Sequence, residues 1–400
     1  MEISVVIPTH NRSESLRRAI DSILQDTINC EYEIVVVDNN SSDNTKASVL
    51  IYESKVNYFF EPNTSFTRAR HAGAHNAKGD ILLYIDDDVI VLPGSIDKIV
   101  QTFKGYPDCG VIAGHILPQY DEEPPEWCLA CEEKFNGWSL YNPSVYPHLA
   151  NGFQEVDWAA GPMMAISKKA YDLVGGFPPD TLGVETNDGK GTFNKLYVGP
   201  GDYGLCKKVI KAGFKVYYDP LVSCYHVIPE MRFTIPFWIS RMKGEAHHKA
   251  IVNRVFYKYS KFKLFAIRIK AMKSLLRIRA NLLSQLKTQS VQDNFKFDGL
   301  YTEELFLNYL TDYLKIDGVL NKNKWLSEYL WDLGNNGVSN SDFDSVNSKL
   351  PEEYKILYLK ENMYPEKGIN SIAGFKKTIA NFHFVNVMQK YIYPLRDFLK

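Results

Sequence analysis

Three consecutive carboxylates, Asp86-Asp87-Asp88, are the residues most plainly able to do chemistry. They follow the apolar run Ile81-Leu82-Leu83-Tyr84-Ile85, which reads as a buried strand after Gly79-Asp80. The triplet therefore sits where a strand leaves its sheet. Adjacent negative charges repel, so a fold keeps them together only if something positive offsets the repulsion. Hard oxygen ligands suit Mg²⁺ or Mn²⁺, and such a cation commonly also holds substrate phosphates. By itself, the triplet fits a solvated acidic turn equally well.

Other polar groups recur at strand ends. Ile3 to Ile7 reads as a strand stopped by Pro8 and followed by Thr9-His10-Asn11-Arg12-Ser13. Leu16, Ile20, Ile23 and Leu24 then give an amphipathic helix. A second strand, Ile34 to Val37, ends in Asp38-Asn39-Asn40-Ser41-Ser42-Asp43, where Ser42 or Asp43 can cap the next helix. Val56 to Phe60 is a third strand, and Thr67 to Ala77 a helix closed by Gly79. Strand–helix alternation with almost wholly apolar strands predicts an α/β fold with a mainly parallel sheet covered on both faces. Open sheets of this kind bind ligands at the carboxyl ends of their strands. Thr9–Arg12, Asp38–Ser41 and Asp86–Asp88 can thus share one crevice.

Further along, residues 118–154 lose any period and read as an irregular excursion. Regularity returns from Val156 to Ile166, Gly175-Gly176 makes a turn, and 183–191 is a polar, Gly-rich loop. Gly199-Pro200-Gly201-Asp202 opens a helix, and Lys215–Tyr218 and Val222–His226 are short extended pieces. Beyond Pro236 the pattern is helical, so 1–235 reads as one domain and 236–400 as a helical C-terminal extension.

Taken in order, Val5-Val6-Ile7-Pro8-Thr9-His10-Asn11-Arg12, Val35-Val36-Val37-Asp38, Ala69-Arg70-His71, Ala77-Lys78-Gly79-Asp80, Ile85-Asp86-Asp87-Asp88, Gly175-Gly176-Phe177 and Gly201-Asp202 resemble the glycosyltransferase family 2 catalytic domain, over roughly residues 1–230. The resemblance implies a GT-A fold and inverting transfer of a sugar from a nucleotide-sugar donor. It puts Pro8, Thr9, Asn11 and Arg12, with Asp38, Asn40 and Ser41, around the nucleotide, Asp38 accepting from a uracil N3–H. It puts Arg70 at diphosphate charge, Asp86 and Asp87 on the ribose and nucleotide side, and Asp88 on the metal. His226 would complete the metal shell. Trp158 and Gly161 would face sugar and acceptor. Asp202 would be the general base, and its place at a helix start suits a carboxylate, because the helix dipole favours negative charge there. The family's usual Asn after the Arg is His71 here, and Gly201 stands where an acid often precedes the base.

The bulk numbers bound the alternatives. With 400 residues, 45% apolar and 23% charged, the chain has room for one large domain plus an appendage, or for two domains. A net charge of −1 gives no field that would draw nucleic acid. Six cysteines without a regular framework, no signal-peptide pattern and no membrane-length apolar run point to the cytoplasm. Cys128 and Cys131 have a zinc-like spacing without a second pair. Between Arg241 and Lys287, thirteen basic residues stand against one acid, Glu245, interleaved with aromatics. That stretch could lie on an anionic membrane as a peripheral contact, or pack on the catalytic domain with a solvated basic face. The expected partners are a nucleotide-sugar, favouring UDP, and a glycan, lipid-linked or protein hydroxyl, with Mn²⁺ or Mg²⁺ as cofactor. Two other functions fit parts of the pattern. A nucleotidyltransferase on a similar sheet would want a Gly-rich first loop, absent here. A silent nucleotide-sugar-binding protein would not need Asp202.

Overall fold

The first strand, β1 (Ile3–Thr9), is buried at all seven positions. Side chains alternate faces along a strand, so burial at every position means that both faces are covered. This computed structural model describes residues 1–52, 55–178 and 201–234, with the isolated positions 237, 238, 241, 263, 266, 267, 269 and 270. The 183–191 loop, the helical reading of 236–400 and nearly all of the basic 241–287 stretch lie outside the described residues.

In chain order the elements are β1, α1 (Ser13–Leu24), β2 (Tyr32–Asp38), α2 (Thr45–Leu50), β3 (Val56–Phe60), α3 (Phe66–Asn76), β4 (Ile81–Ile85), β5 (Val89–Val91), α4 (Ser95–Gly105), β6 (Cys109–Tyr120), α5 (Glu126–Phe135), β7 (Gln154–Val156), β8 (Met163–Ser167), α6 (Lys168–Val174), α7 (Gly201–Lys211) and β9 (Lys215–Ile228). They build one mixed sheet in the order β3-β2-β1-β4-β8-β6-β9-β5, with β7 beside β9. The first four strands in this row run parallel. β8 then pairs antiparallel with both β4 and β6, while the long β6–β9 ladder is parallel again. A mixed α/β sheet flanked by helices is the architecture that the resemblance implied.

Three local readings change. Pro8 lies inside β1, opposite Val37, instead of ending it. The β1–β4 register stops at Val6–Tyr84, so that neighbour does not need the N–H that proline lacks. The two pieces at 215–218 and 222–226 form the single strand β9, and the shift at Gly114/His115 absorbs its Pro220 as a bulge. Within 118–154, the supposedly irregular stretch begins with the end of β6 and contains α5. Among the described residues of α5, Cys128, Cys131 and Glu132 form the buried stripe. Its spacing is helical, but it is hidden from a search for apolar residues because one member is a glutamate.

Candidate active site

Backbone pairing alone brings the three strand ends together. Thr9 is in register with Asp38, and Asp38 with Phe60. The loops that follow are then tied to one another. His10 Nδ1–H donates to Asn39 O at 2.7 Å. The Asn11 N–H donates to Ser41 Oγ at 2.9 Å, while Asn11 Oδ1 accepts from the Ser42 N–H at 2.7 Å. Asn11 and Asn40 both take positive φ, 55° and 63°. Asparagine tolerates that region better than most residues, which suits tight loops. Asp38 is buried, and its Oδ1 and Oδ2 accept from the Ser41 N–H at 2.8 Å and the Tyr58 hydroxyl at 2.7 Å. Burial, and then Asp38 itself, push the Tyr58 phenol upward. A carboxylate has about four acceptor sites, so Asp38 retains capacity for a further donor.

The triplet leaves β4 in the middle of the sheet and leads into β5 at its edge. β5 pairs antiparallel with β9, with Val89 opposite His226, and the Val227 N–H donates to Asp88 O at 2.9 Å. This pairing sets His226 beside Asp88, with Nε2 3.2 Å from Oδ1.

The positive charge that three carboxylates require is supplied from within the chain by three arginines. Arg12 Nη1 donates to Asp87 Oδ1 at 3.0 Å and to Asp88 Oδ2 at 2.8 Å. Arg232 Nη2 donates to the same Asp88 Oδ2 at 2.7 Å. Arg70 Nη1 pairs with Asp202 Oδ1, and its Nη2 lies 3.6 Å from Asp86 Oδ1. The Thr9 hydroxyl donates to Asp87 Oδ2 at 2.7 Å.

The three carboxyl groups consequently differ. A quarter of the Asp86 side chain is open, yet loss of hydration pushes its carboxyl up to about 6, with Asp88 adding to the rise and Arg70 opposing it. Burial also raises Asp87, against Arg12 and the Thr9 hydroxyl. At Asp88 burial is overcome: His226, Arg232 and Arg12 together hold its carboxyl well below the usual range.

Arg70 is buried, and its guanidinium lies 4.0 Å from the Phe66 ring centroid and 4.8 Å from that of Phe177. It is directed at Asp202 and Asp86, which makes it the joint between the triplet and the start of α7. Gly161 lies against this joint. A Cβ there would stand 2.7 Å from Arg70 Nη2 and would also strike the Asp202 carboxylate. The segment before β8 runs along α7, tied by a Lys207–Asp157 ion pair of 3.0 Å. It carries Trp158, which is half-buried, edge-on to Tyr141 and Tyr146, and accepts from the Tyr141 hydroxyl through its carbonyl.

His71, where the family resemblance expected Asn, has its own role. Its Nε2–H donates to Phe177 O at 3.0 Å, and its Nδ1 accepts from the Tyr171 hydroxyl at 2.9 Å. Gly176 permits this, since its φ is 67° and a Cβ would approach His71 Cε1 to 2.7 Å.

The residues fit a divalent cation at one end of the triplet. Asp88 Oδ1 and His226 Nδ1 are buried without a hydrogen-bond partner. At 3.2 Å, Asp88 Oδ1 faces an Nε2 that also lies 3.1 Å from Arg232 Nη1. If Nε2 is bare, two acceptors face each other; if it is protonated, two N–H groups do. A cation between carboxylate and imidazole would satisfy both acceptors. Among the described residues, no cluster of three or more His, Cys, Asp or Glu side chains could hold a metal, so the remaining ligands would come from substrate oxygens and water. Cys128 and Cys131 are both buried in α5.

Sequence reasoning missed Arg232 and Tyr58. Tyr58 was accessible in principle, because parallel register places it two residues from the position opposite Asp38. Arg232 offered only its place six residues after His226, past Pro229.

The chain is similar to the glucosyl-dolichyl phosphate glucuronosyltransferase of Haloferax volcanii, 23% identical over 268 residues, 64% of this chain and 79% of that one. It is also similar to the validoxylamine A glucosyltransferase of Streptomyces hygroscopicus subsp. jinggangensis, 31% identical over 117 residues, and spans 28% of that relative's length. Among solved structures, the mannosyltransferase PcManGT from Pyrobaculum calidifontis, in complex with GDP-Man and Mn²⁺, aligns with a TM-score of 0.43 at 15% identity, covering 87% of this chain and 86% of that one. Residues 4–172 match the family model described as glycosyl transferase family 2, a stretch that contains Thr9, Asp38, Arg70, the triplet and Gly161 but ends before Asp202, His226 and Arg232. The chain carries a glycosyl transferase family 2 domain and is a glycosyltransferase.

Proposed function

We propose that this glycosyltransferase is inverting and metal-dependent, moving a sugar from a nucleotide-sugar, with UDP-sugars favoured, to a hydroxyl of a glycan, lipid-linked or protein acceptor. The observation that carries the reading is the single buried guanidinium of Arg70, which links Asp202 to Asp86. It supports reading Asp202 as the carboxylate that would take the acceptor's proton, close to carboxylates that would face the donor. Just over a quarter of the Asp202 side chain is exposed, so an acceptor hydroxyl can reach it. Pairing with Arg70 fixes its orientation, as a base acting in a single in-line displacement requires. Asp38, with acceptor capacity left, suits a uracil N3–H, and the knotted loops around Asn11, Asn40 and Ser41 suit the ribose and base. Asp88 and His226 would hold Mn²⁺ or Mg²⁺, which when bound neutralises charge growing on the leaving diphosphate. Trp158, half-buried in the segment tied to α7, is the aromatic ring on which a pyranose would stack.

The test is a panel of UDP-, GDP- and dTDP-sugars, each with Mn²⁺ or Mg²⁺, following nucleotide release with water and then with candidate acceptors. Release of UDP, loss of turnover on chelation, and an inverted anomeric signal by NMR are expected. A retained anomeric configuration, or turnover indifferent to chelator, would overturn the corresponding part. The basic 241–287 stretch is proposed to contact anionic lipid on the cytoplasmic side. Failure to float with acidic liposomes at low salt would reject that contact.

A further inference from the structure

The mechanism above leaves Arg232 without a task. This arginine ends a three-residue 3₁₀ turn, Glu230–Arg232, closed by its own N–H on Pro229 O at 2.8 Å. The turn directly follows β9, the strand that carries His226. The side chain therefore folds back over six residues to the cation end of the triplet. There Nη2 donates to Asp88 Oδ2 at 2.7 Å, and Nη1 lies 3.1 Å from His226 Nε2. Its Nε is buried without an acceptor.

Two features make this contact unlike a permanent ion pair. Arg12 already donates to the same Asp88 oxygen at 2.8 Å, so Arg232 is the second guanidinium on one atom. The nitrogen of His226 that would ligate a cation is also the one that Arg232 Nη1 faces. A lone pair cannot serve both an N–H and a metal ion. Two positive groups around one small carboxylate also repel strongly at low effective dielectric.

We propose that Arg232 is an exchangeable counter-ion of the cation site: it covers Asp88 and His226 when no divalent ion is bound, yields both to the ion, and turns its guanidinium to the donor's diphosphate. An idle Nε and two released Nη groups form the planar donor fork that suits phosphate oxygens. Arg232 then supports donor binding while opposing ion binding, two effects of opposite sign from one side chain. The inference rests on the reading of Asp88 and His226 as the cation site.

The full chain is titrated with Mn²⁺ in the absence of nucleotide, with free ion followed by electron paramagnetic resonance. Arg232→Gln is expected to bind Mn²⁺ about tenfold more tightly than wild type, because a competing charge is gone. At saturating Mn²⁺, calorimetry with UDP is expected to show about tenfold weaker binding by the same variant. Arg232→Lys, which keeps the charge but loses the fork, is expected to retain near wild-type Mn²⁺ affinity and to share the UDP defect. Circular dichroism and a thermal melt establish that each variant is folded, and if Arg232→Gln is not, Arg232→Lys carries the test through its UDP defect. Mn²⁺ affinity that is unchanged or weaker in folded Arg232→Gln overturns the exchange, as does UDP affinity unchanged in Arg232→Lys. Asp88→Asn separates the levels: Mn²⁺ binding that survives it at wild-type strength overturns the underlying site reading instead.

Discussion

Arg70 and Asp202 meet as an ion pair across 132 positions of sequence, and the same guanidinium reaches Asp86 at 3.6 Å. Asp202 is the group proposed to touch the acceptor, and Arg70 positions it. Asp202→Asn should lower kcat by about 10²–10⁴-fold, the usual weight of a general base, with donor affinity little changed. Arg70→Met should lower kcat as well, and should destabilise the fold by up to about 3 kcal/mol, because it strips a partner from a largely buried pair. Steady-state kinetics with donor titration, beside urea unfolding, separates the two. Loss of donor affinity alone in Asp202→Asn would remove the base assignment.

Gly161 has no room for a side chain beside that pair. Gly161→Ala would place a methyl 2.7 Å from Arg70 Nη2 and into the Asp202 carboxylate. The expected result is a kcat loss approaching that of Asp202→Asn, with a destabilisation of about 1–3 kcal/mol from overpacking. Wild-type kcat in this variant would show that Asp202 can shift without consequence.

His71 invites the substitution that would restore the family's usual residue. Asn at this position is too short to keep both the Phe177 carbonyl and the Tyr171 hydroxyl, which His71 now satisfies. His71→Asn should therefore destabilise the protein by about 1–2 kcal/mol through an unmade, partly buried hydrogen bond. It should also loosen Phe177 under Arg70, seen as a kcat decrease. A variant as stable and as fast as wild type would make His71 a neutral replacement.

Lys208 gives a pH-dependent prediction with a definite sign. It is buried, donates to Gly176 O at 2.9 Å, and burial lowers its pKa to about 8. The unfolded chain binds this proton up to the ordinary value of 10.5, so between about 8 and 10.5 the unfolded state holds more protons and stability rises with pH. Below about pH 8 the charged amine is a standing cost, on the order of 3 kcal/mol at most. Lys208→Met should thus raise the melting temperature at pH 7, less the lost hydrogen bond. Its advantage over wild type should shrink as pH climbs from 8 to 10.5. A difference between the two proteins that is flat over this range would contradict the assignment.

The sequence by itself determined the grouping of Thr9, Asp38 and the triplet, the proposed donor side of the site. Thr9, Asp38 and Asp86–Asp88 each end an apolar strand, and parallel strands joined by short helices line up their carboxyl ends by a local rule. Reading strand ends in order was therefore enough to gather them. The neighbourhoods of Asp202 and His226, the proposed acceptor and cation sides, depended on pairings that no local pattern encodes. β5 leaves the triplet for the far edge of the sheet, and only its antiparallel register with β9 brings His226 to Asp88. A turn beyond β9 brings Arg232 back onto the same carboxylate. α7 had to dock before Asp202 could meet Arg70, which the sequence left free to face a diphosphate. The sequence required positive charge at the triplet, since three carboxylates cannot stand together otherwise. That three arginines from distant parts of the chain supply it was decided only by tertiary structure.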